Sequence, residues 1–281
     1  MLTTILAGAI ATAAVMPQTD TVIAVGPGTR LDIDTFGGEV VVQTWSRNEM
    51  RIVANHSRRT SVGISQSSAA VRLRGRSSHG VATIDFEISV PSGTDVDVRG
   101  TYVSVDLDGE LGEVRVETVQ GDIVVSGATG FAHLYSVQGD VELRDADGDL
   151  NVYSTNGSLV VTAASGSVRA EATNGGITLS DMRSSEVEAT TVNGTVRFDG
   201  TIDPGGRYRL GTHSGSVIAA VPADIDATVS VSTFAGDFEA AFPITLTETR
   251  SQGRRFSFTV GDGGARIELE SFSGSIRLRR R

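Results

Sequence analysis

Three groups of residues in this sequence carry side chains suited to chemistry at a metal or a reacting bond. The run Asp145-Ala-Asp-Gly-Asp149 resembles a fragment of a calcium loop. A full twelve-residue loop closes on a bidentate Glu, and counting from Asp145 that place is Asn156. The nonapeptide calcium repeat wants an aspartate in every half-turn. Here Gly121-Asp122 and Gly139-Asp140 give way to Gly157-Ser158 and Gly175-Gly176. These acids therefore read as solvated turn residues, with no metal. His56, His79, His133 and His213 are the only histidines, none paired at ligand spacing, and His213-Ser214 has no triad context. Asp106 and Asp108 share one strand face, as the acids of a polysaccharide-processing β-helix would. Such enzymes also need Arg and aromatic platforms, and aromatics are 5% of this chain. The expectation is no catalytic residue, no metal site and no cofactor.

A fourth group is a charge patch. Between residues 47 and 76, Arg47, Arg51, Arg58, Arg59, Arg72, Arg74 and Arg76 stand against Glu49 alone. One reading is a site for an anionic ligand, an envelope polymer or lipid headgroups. The other is a cap whose arginines pair with acids on neighbouring strands.

The elements that must carry these groups are set by an internal repeat. Gly recurs at 112, 121, 130, 139, 148, 157, 166 and 175, and alternate copies close similar phrases: Val116-Glu-Thr-Val-Gln-Gly-Asp-Ile123, Leu134-Tyr-Ser-Val-Gln-Gly-Asp-Val141, Val152-Tyr-Ser-Thr-Asn-Gly-Ser-Leu159 and Ala170-Glu-Ala-Thr-Asn-Gly-Gly-Ile177. The period is eighteen residues with two half-turns. Val114, Ala132, Leu150 and Val168 align, as do Ile123, Val141, Leu159 and Ile177. Apolar and polar positions alternate inside each phrase, the mark of a strand with one buried face. Small insertions carry the columns on to Val187, Tyr208, Val229 and Ile267, and they extend back to Val96 and Leu31. The fold class is all-β, a β-solenoid of about ten two-stranded rungs stacked on one another. The glycines fit turns that need positive φ. Gln120, Gln138, Asn156, Asn174 and Asn193 would form an amide ladder beside them.

Two stretches break the rhythm. Residues 43–95 hold Met50-Arg-Ile-Val53, Val71-Arg-Leu73 and Ile84-Asp-Phe-Glu-Ile88, expected as extra paired or capping strands. Residues 241–266 hold Arg255-Phe-Ser-Phe-Thr-Val260, expected as a hairpin excursion before the final rung. The last copy ends the chain at Arg277-Leu-Arg-Arg-Arg281, where arginine on an open edge would oppose end-to-end stacking. Residues 1–20 read as a signal peptide or an N-terminal apolar segment. The run Leu2–Val15 has the length of a signal-peptide core, Ala11-Thr12-Ala13 offers a cleavage site, and the run is short for a membrane span, although no basic residue precedes Leu2. Residues 21–281 then form a single solenoid domain.

Composition narrows the function. A net charge of −10 argues against a nucleic-acid partner. The chain has no Cys, which removes disulfides and thiolate zinc sites. The 33 glycines against 6 prolines ask for many tight turns.

The order of phrases resembles the bacterial family usually called the "putative adhesins". The resemblance rests on Val90-Pro-Ser-Gly-Thr-Asp-Val-Asp-Val98 as lead-in, on the serial turn phrase, and on Phe258-Thr-Val-Gly-Asp-Gly-Gly-Ala-Arg-Ile-Glu-Leu269 with Ser-Phe-Ser-Gly-Ser-Ile276 as closing signature. It covers roughly residue 28 to the end. It implies an exported β-helical protein of the cell envelope, of largely unknown function, and brings no catalytic residues. The expectation is thus a non-enzymatic, extracytoplasmic module (periplasmic, cell-surface or secreted), structural or adhesive. Its partner would be an envelope polymer or a surface protein, with membrane association only through the N-terminal segment. A sensor or scaffold binding one defined protein, and a polysaccharide-processing enzyme, are the alternatives.

Overall fold

The computed structural model of the chain describes residues 18–78, 80–241, 248–250 and 254–281. The apolar segment through residue 17 and His79 lie outside the described residues, as does part of the stretch 241–266. All named elements are strands. At one end lie β1 (Gln18–Ala24), β2 (Arg30–Trp45), β3 (Glu49–His56), β4 (Thr60–Gln66), β5 (Ala70–Ser77), β6 (Ile84–Pro91) and β7 (Thr94–Asp108). The regular middle pairs long strands with short ones: β8 (Leu111–Gln120) with β9 (Ile123–Ser126), β10 (Thr129–Gln138) with β11 (Val141–Arg144), β12 (Asp147–Asn156) with β13 (Leu159–Thr162) and β14 (Ser165–Asn174) with β15 (Ile177–Met182). Then come β16 (Glu186–Asn193) with β17 (Val196–Gly200) and β18 (Arg207–Ser214) with β19 (Val217–Val221). The other end holds β20 (Ala227–Ala235), β21 (Phe238–Ala240), β22 (Glu248–Arg250), β23 (Arg254–Val260), β24 (Ala265–Ser273) and β25 (Ile276–Arg280).

The alternating columns produce two parallel faces that share one core. The long-strand face runs β4–β5–β2–β7–β8–β10–β12–β14–β16–β18–β24–β20–β23–β22. The short-strand face runs β1–β3–β6–β2–β7–β9–β11–β13–β15–β17–β19–β25–β21. β2 and β7 turn the corner and serve both faces. Inward residues meet in register, as Leu31↔Val96, Val96↔Val114 and Ala132↔Leu150 do. They form one continuous aliphatic core, with Phe86, Phe198, Tyr208 and Phe258 as its buried rings. A fully buried aliphatic side chain of this kind contributes about 1.5–3 kcal/mol. A lone rung buries little, so stability is a property of the stack.

Counting rung by rung gives eleven among the described residues, spanning roughly 50 Å at the usual strand spacing. The additional rung is β5 with β6. Its columns match β2 (Leu31↔Val71, Ile33↔Leu73, Val40↔Phe86, Val42↔Ile88). Thirteen residue steps separate Leu73 from Phe86 where seven separate Ile33 from Val40, and that insertion hides the period. The strands outside this rung, β1, β3 and β4, run antiparallel to their neighbours.

Chain order is not stacking order at either end. β2 lies between the β5–β6 rung and β7. The last rung in sequence, β24 with β25, is inserted between β18–β19 and β20–β21. The expectation that the C-terminal arginines guard an open edge is therefore wrong. Arg277 Nε lies 3.5 Å from Glu239 Oε2 on the outer neighbour. Arg281 reaches the other way, its Nη2 2.5 Å from Asp181 Oδ1 and its Nε 2.9 Å from Asp199 Oδ1, the latter a charge contact off the line a hydrogen bond needs.

The corner between the faces explains the glycine period. A Cβ placed on Gly139, Gly157, Gly175 or Gly194 would lie 2.0–2.1 Å from the turn carbonyl oxygen of the rung before it. Gly157, Gly175 and Gly194 lie outside the left-handed φ region. At these corners the requirement is close approach of backbone to backbone, and only part of the column also uses left-handed φ. A buried hydroxyl closes most of these corners. Ser136 Oγ donates to Gly121 O at 3.0 Å, Ser154 Oγ to Gly139 O at 3.0 Å, Thr191 Oγ1 to Gly175 O at 2.9 Å and Thr212 Oγ1 to Gly194 O at 2.9 Å. Beside them Asn193 Nδ2 donates to Asn174 Oδ1 and Asn174 Nδ2 to Asn156 Oδ1, at 2.8 and 2.9 Å. This is the asparagine part of the expected amide ladder.

Candidate functional site

The seven arginines expected as one patch are divided by the fold. Arg47 follows β2, stacks over Trp45 at 5.0 Å and lies 3.3 Å from Glu49. Arg51 is on the short-strand face, where its fork grips Asp20 at 2.9 and 3.2 Å. Those hydrogen bonds hold the Asp20 carboxyl below its usual range. Arg58 and Arg59 occupy the turn into β4. Arg72, Arg74 and Arg76 alternate along β5, so all three project outward from the long-strand face. Arg72 Nε contacts Asp32 Oδ2 at 3.0 Å, and Arg30 Nε contacts Asp32 Oδ1 at 2.5 Å. Burial pushes the Asp32 carboxyl up, but the two guanidiniums outweigh it and the net shift is downward. Among the described residues, Arg58, Arg59, Arg74 and Arg76 have no carboxylate partner.

β2 and β7 add to this surface what the sequence reading left out. Register places Asp34 opposite both Arg74 and Arg99. Arg74, Arg76 and Arg99, with Asp34, Phe36 and Thr101, line a shallow trough of about 480 Å³. Arg99 also lies 3.1 Å from Asp97. Tyr102 packs against Phe36, their ring centroids 5.3 Å apart and tilted by 53°. Arg99 was missed because it lies outside the basic segment. Only the pairing of β5, β2 and β7 brings it in.

A second feature was missed altogether. Of the exposed large apolar side chains, Val22, Val81 and Tyr135 stand apart and the other six gather along one corner. Phe36, Val119, Val192, Phe272 and Phe234 are equivalent positions of different rungs, just before the glycine corner, with Tyr102 beside Phe36. They form a ridge along one corner of the solenoid, from the β2 rung to the β20 rung, broken by Thr101, Thr155 and Thr173. At its far end His213, Phe272 and Phe234 stack flat, with centroid distances of 4.7 and 4.9 Å and interplanar angles of 10° and 1°. Phe234 is 68% exposed and Phe272 48%. A trough of about 520 Å³ runs beside them, lined in part by Gly211, Glu270 and Arg255. The sequence signal was there: the residue after the corner Ser or Thr is polar-facing in the alternation, yet is Val or Phe in most rungs.

Several of the remaining candidates are engaged locally. Asp147 accepts from Ser165 Oγ and Asp149 from Asn151 Nδ2. His56 contacts Thr19 Oγ1 at 3.1 Å, and His133 lies against Tyr153. No cluster of three or more metal-ligating side chains occurs among the described residues. Among them, too, no helix is long and apolar enough to cross a membrane.

The family model described as Toastrack DUF4097 matches residues 28–279. The solved structure of a "putative cell adhesion protein" from Clostridium sporogenes ATCC 15579 is similar over 94% of this chain and 100% of its own, at 10% identity. Its TM-score is 0.21, too low to support an argument. No curated protein matches the chain.

Proposed function

The chain belongs to the Toastrack DUF4097 family, and from that premise we propose that it is a non-enzymatic, extracytoplasmic surface module that works by adhesion. The observation that carries this is the apolar ridge. A molecule that repeats exposed Phe, Tyr or Val along one corner, with only isolated apolar residues exposed elsewhere, offers a long line of small, similar contacts. Repetition along an axis suits weak multivalent binding to an extended surface, because each further contact is made at high effective concentration. The strongly acidic net charge keeps such molecules apart in solution.

The test is fractionation of the native host carrying either the chain or a variant with Phe36→Ser, Tyr102→Ser, Phe234→Ser and Phe272→Ser. We expect the chain in the envelope fraction with its N-terminus cleaved between Ala13 and Gln18. The variant is exported equally but released to the soluble fraction. A chain found in the cytosol with Met1 intact overturns export and adhesion together. Equal envelope retention of both forms overturns the role of the ridge.

A further inference from the structure

We propose that the trough lined by Arg74, Arg76 and Arg99 binds the carboxylates of an acidic polysaccharide. The inference rests on the surface-binding reading above and names a ligand for one part of that surface.

Three features point to it. Arg74 and Arg76 are surface guanidiniums without carboxylate partners among the described residues, and the trough has one lining carboxylate, Asp34, against three guanidiniums. Guanidiniums recognise oxyanions through paired donors in a fixed plane. Their spacing is that of a track: Arg74 and Arg76 lie about 7 Å apart along β5, and Arg99 lies two strands away, about 10 Å across the rungs. One isolated anion uses one such group, whereas a polymer with repeated carboxylates uses all of them. Lastly, Phe36 lines the same trough and Tyr102 packs against it, with Tyr102 54% exposed and the two rings tilted to one another. Rings held that way keep part of their faces open. In the flat His213–Phe272–Phe234 stack, by contrast, the central ring of Phe272 has a neighbour on each face. A sugar acid offers what this arrangement takes, a carboxylate for the guanidinium and an apolar ring face for the aromatic.

An anionic lipid surface shares the oxyanion but fits less well. A molecule of net charge −10 is repelled by a broad anionic plane, while a single polymer strand in a trough meets only the local positive charge.

The experiment is calorimetric titration of the full chain with an oligogalacturonate, a neutral oligosaccharide of equal length, and vesicles of phosphatidylglycerol. We expect binding to the oligogalacturonate alone, weakening as salt rises. Arg74→Ser with Arg76→Ser should weaken it by about tenfold or more, and Arg99→Gln should weaken it less. Arg47→Ser with Arg51→Ser, on the other face, should leave it unchanged. Thermal unfolding confirms that the exposed variants fold. Binding that is equal for charged and neutral sugars, unchanged in the Arg74→Ser, Arg76→Ser form, confined to vesicles, or absent overturns the proposal. Envelope retention of the intact chain alongside no oligogalacturonate binding overturns this inference alone. A cytosolic chain overturns the functional reading whatever the titration shows.

Discussion

Ala172 lies at the corner against the carbonyl of Gly157, the place where Ser154 meets Gly139 O and Ser136 meets Gly121 O, and it brings no hydroxyl there. The rung above resumes the pattern with Thr191 on Gly175 O. One corner in the regular middle of the stack therefore lacks a bond that its neighbours make. Ala172→Ser should supply it and raise stability by about 1 kcal/mol. Ser154→Ala should cost about 1–3 kcal/mol, because it leaves a buried carbonyl short of a donor. Urea titration reads both, as opposite shifts of the midpoint at unchanged slope. A stabilising Ser154→Ala would show that the hydroxyl ladder contributes nothing.

The same corners predict a sharp difference between two glycines. On Gly175 a Cβ would lie 2.0 Å from Gly157 O, with backbone on both sides of the collision. On Gly211 the nearest atoms to a Cβ are Thr190 Cγ2 at 3.5 Å and Glu270 Cβ at 4.0 Å, ordinary contact. Gly175→Ala should destabilise by about 1–3 kcal/mol through forced separation of adjacent rungs. Gly211→Ala should be close to neutral. Thermal unfolding of the two single variants separates them, and equal melting would mean that the corners yield without cost.

Acid should weaken the end that carries β2 and β5. Burial alone would raise the Asp32 carboxyl, but Arg30 and Arg72 bring it to a net depressed pKa. A depressed carboxyl stabilises the folded state fully above its unfolded pKa, about 3.9, and the contribution is lost as pH falls through the folded value. Asp32→Asn should therefore melt below the parent at neutral pH, and the two curves should converge once the pH is well under 4. A constant gap at all pH values would place the effect in packing and not in charge.

What could be read in the sequence was what repeats. Val114, Ala132, Leu150 and Val168 identify their column because the eighteen-residue spacing is unbroken. The β5–β6 rung obeys the same alternation but is split by the excursion between Leu73 and Phe86. The stacking order at the ends was not legible for a different reason. Val229–Val231 and Ile267–Leu269 present the same inward pattern, so either could follow Tyr208–Leu210, and the order depends on how the hairpin containing β23 returns. The arginine patch misled because neighbours along the chain were taken as neighbours in space. Arg51 and Arg74 lie on opposite faces, while Arg74 and Arg99 share a trough. The ridge is legible only by column: Val119, Val192, Phe234 and Phe272 each pass for an isolated residue until the rungs are aligned on their corner glycines.

That end order has a consequence for cooperativity. β24 pairs with β18 on one side and β20 on the other, and β25 likewise joins β19 to β21. In a solenoid whose last rung is outermost, removing it exposes one new edge and leaves the rest intact. Here removal of residues 265–281 opens a gap of about 10 Å between β18 and β20, twice the distance that strand hydrogen bonds span. The rung built on Val229 and Val231 then has no partner on its inner side and holds only β23. Its amides should lose protection in hydrogen exchange together with those of Phe256 and Phe258, while Val114, Leu134 and Val152 in the middle stay protected. The loss should exceed what seventeen residues account for, and the urea slope should fall accordingly. Retained protection at Val229 and Val231 would mean that β20 had moved onto β18 and re-paired there. That would show the rungs to be interchangeable, and the native order to be fixed only by the chain's return.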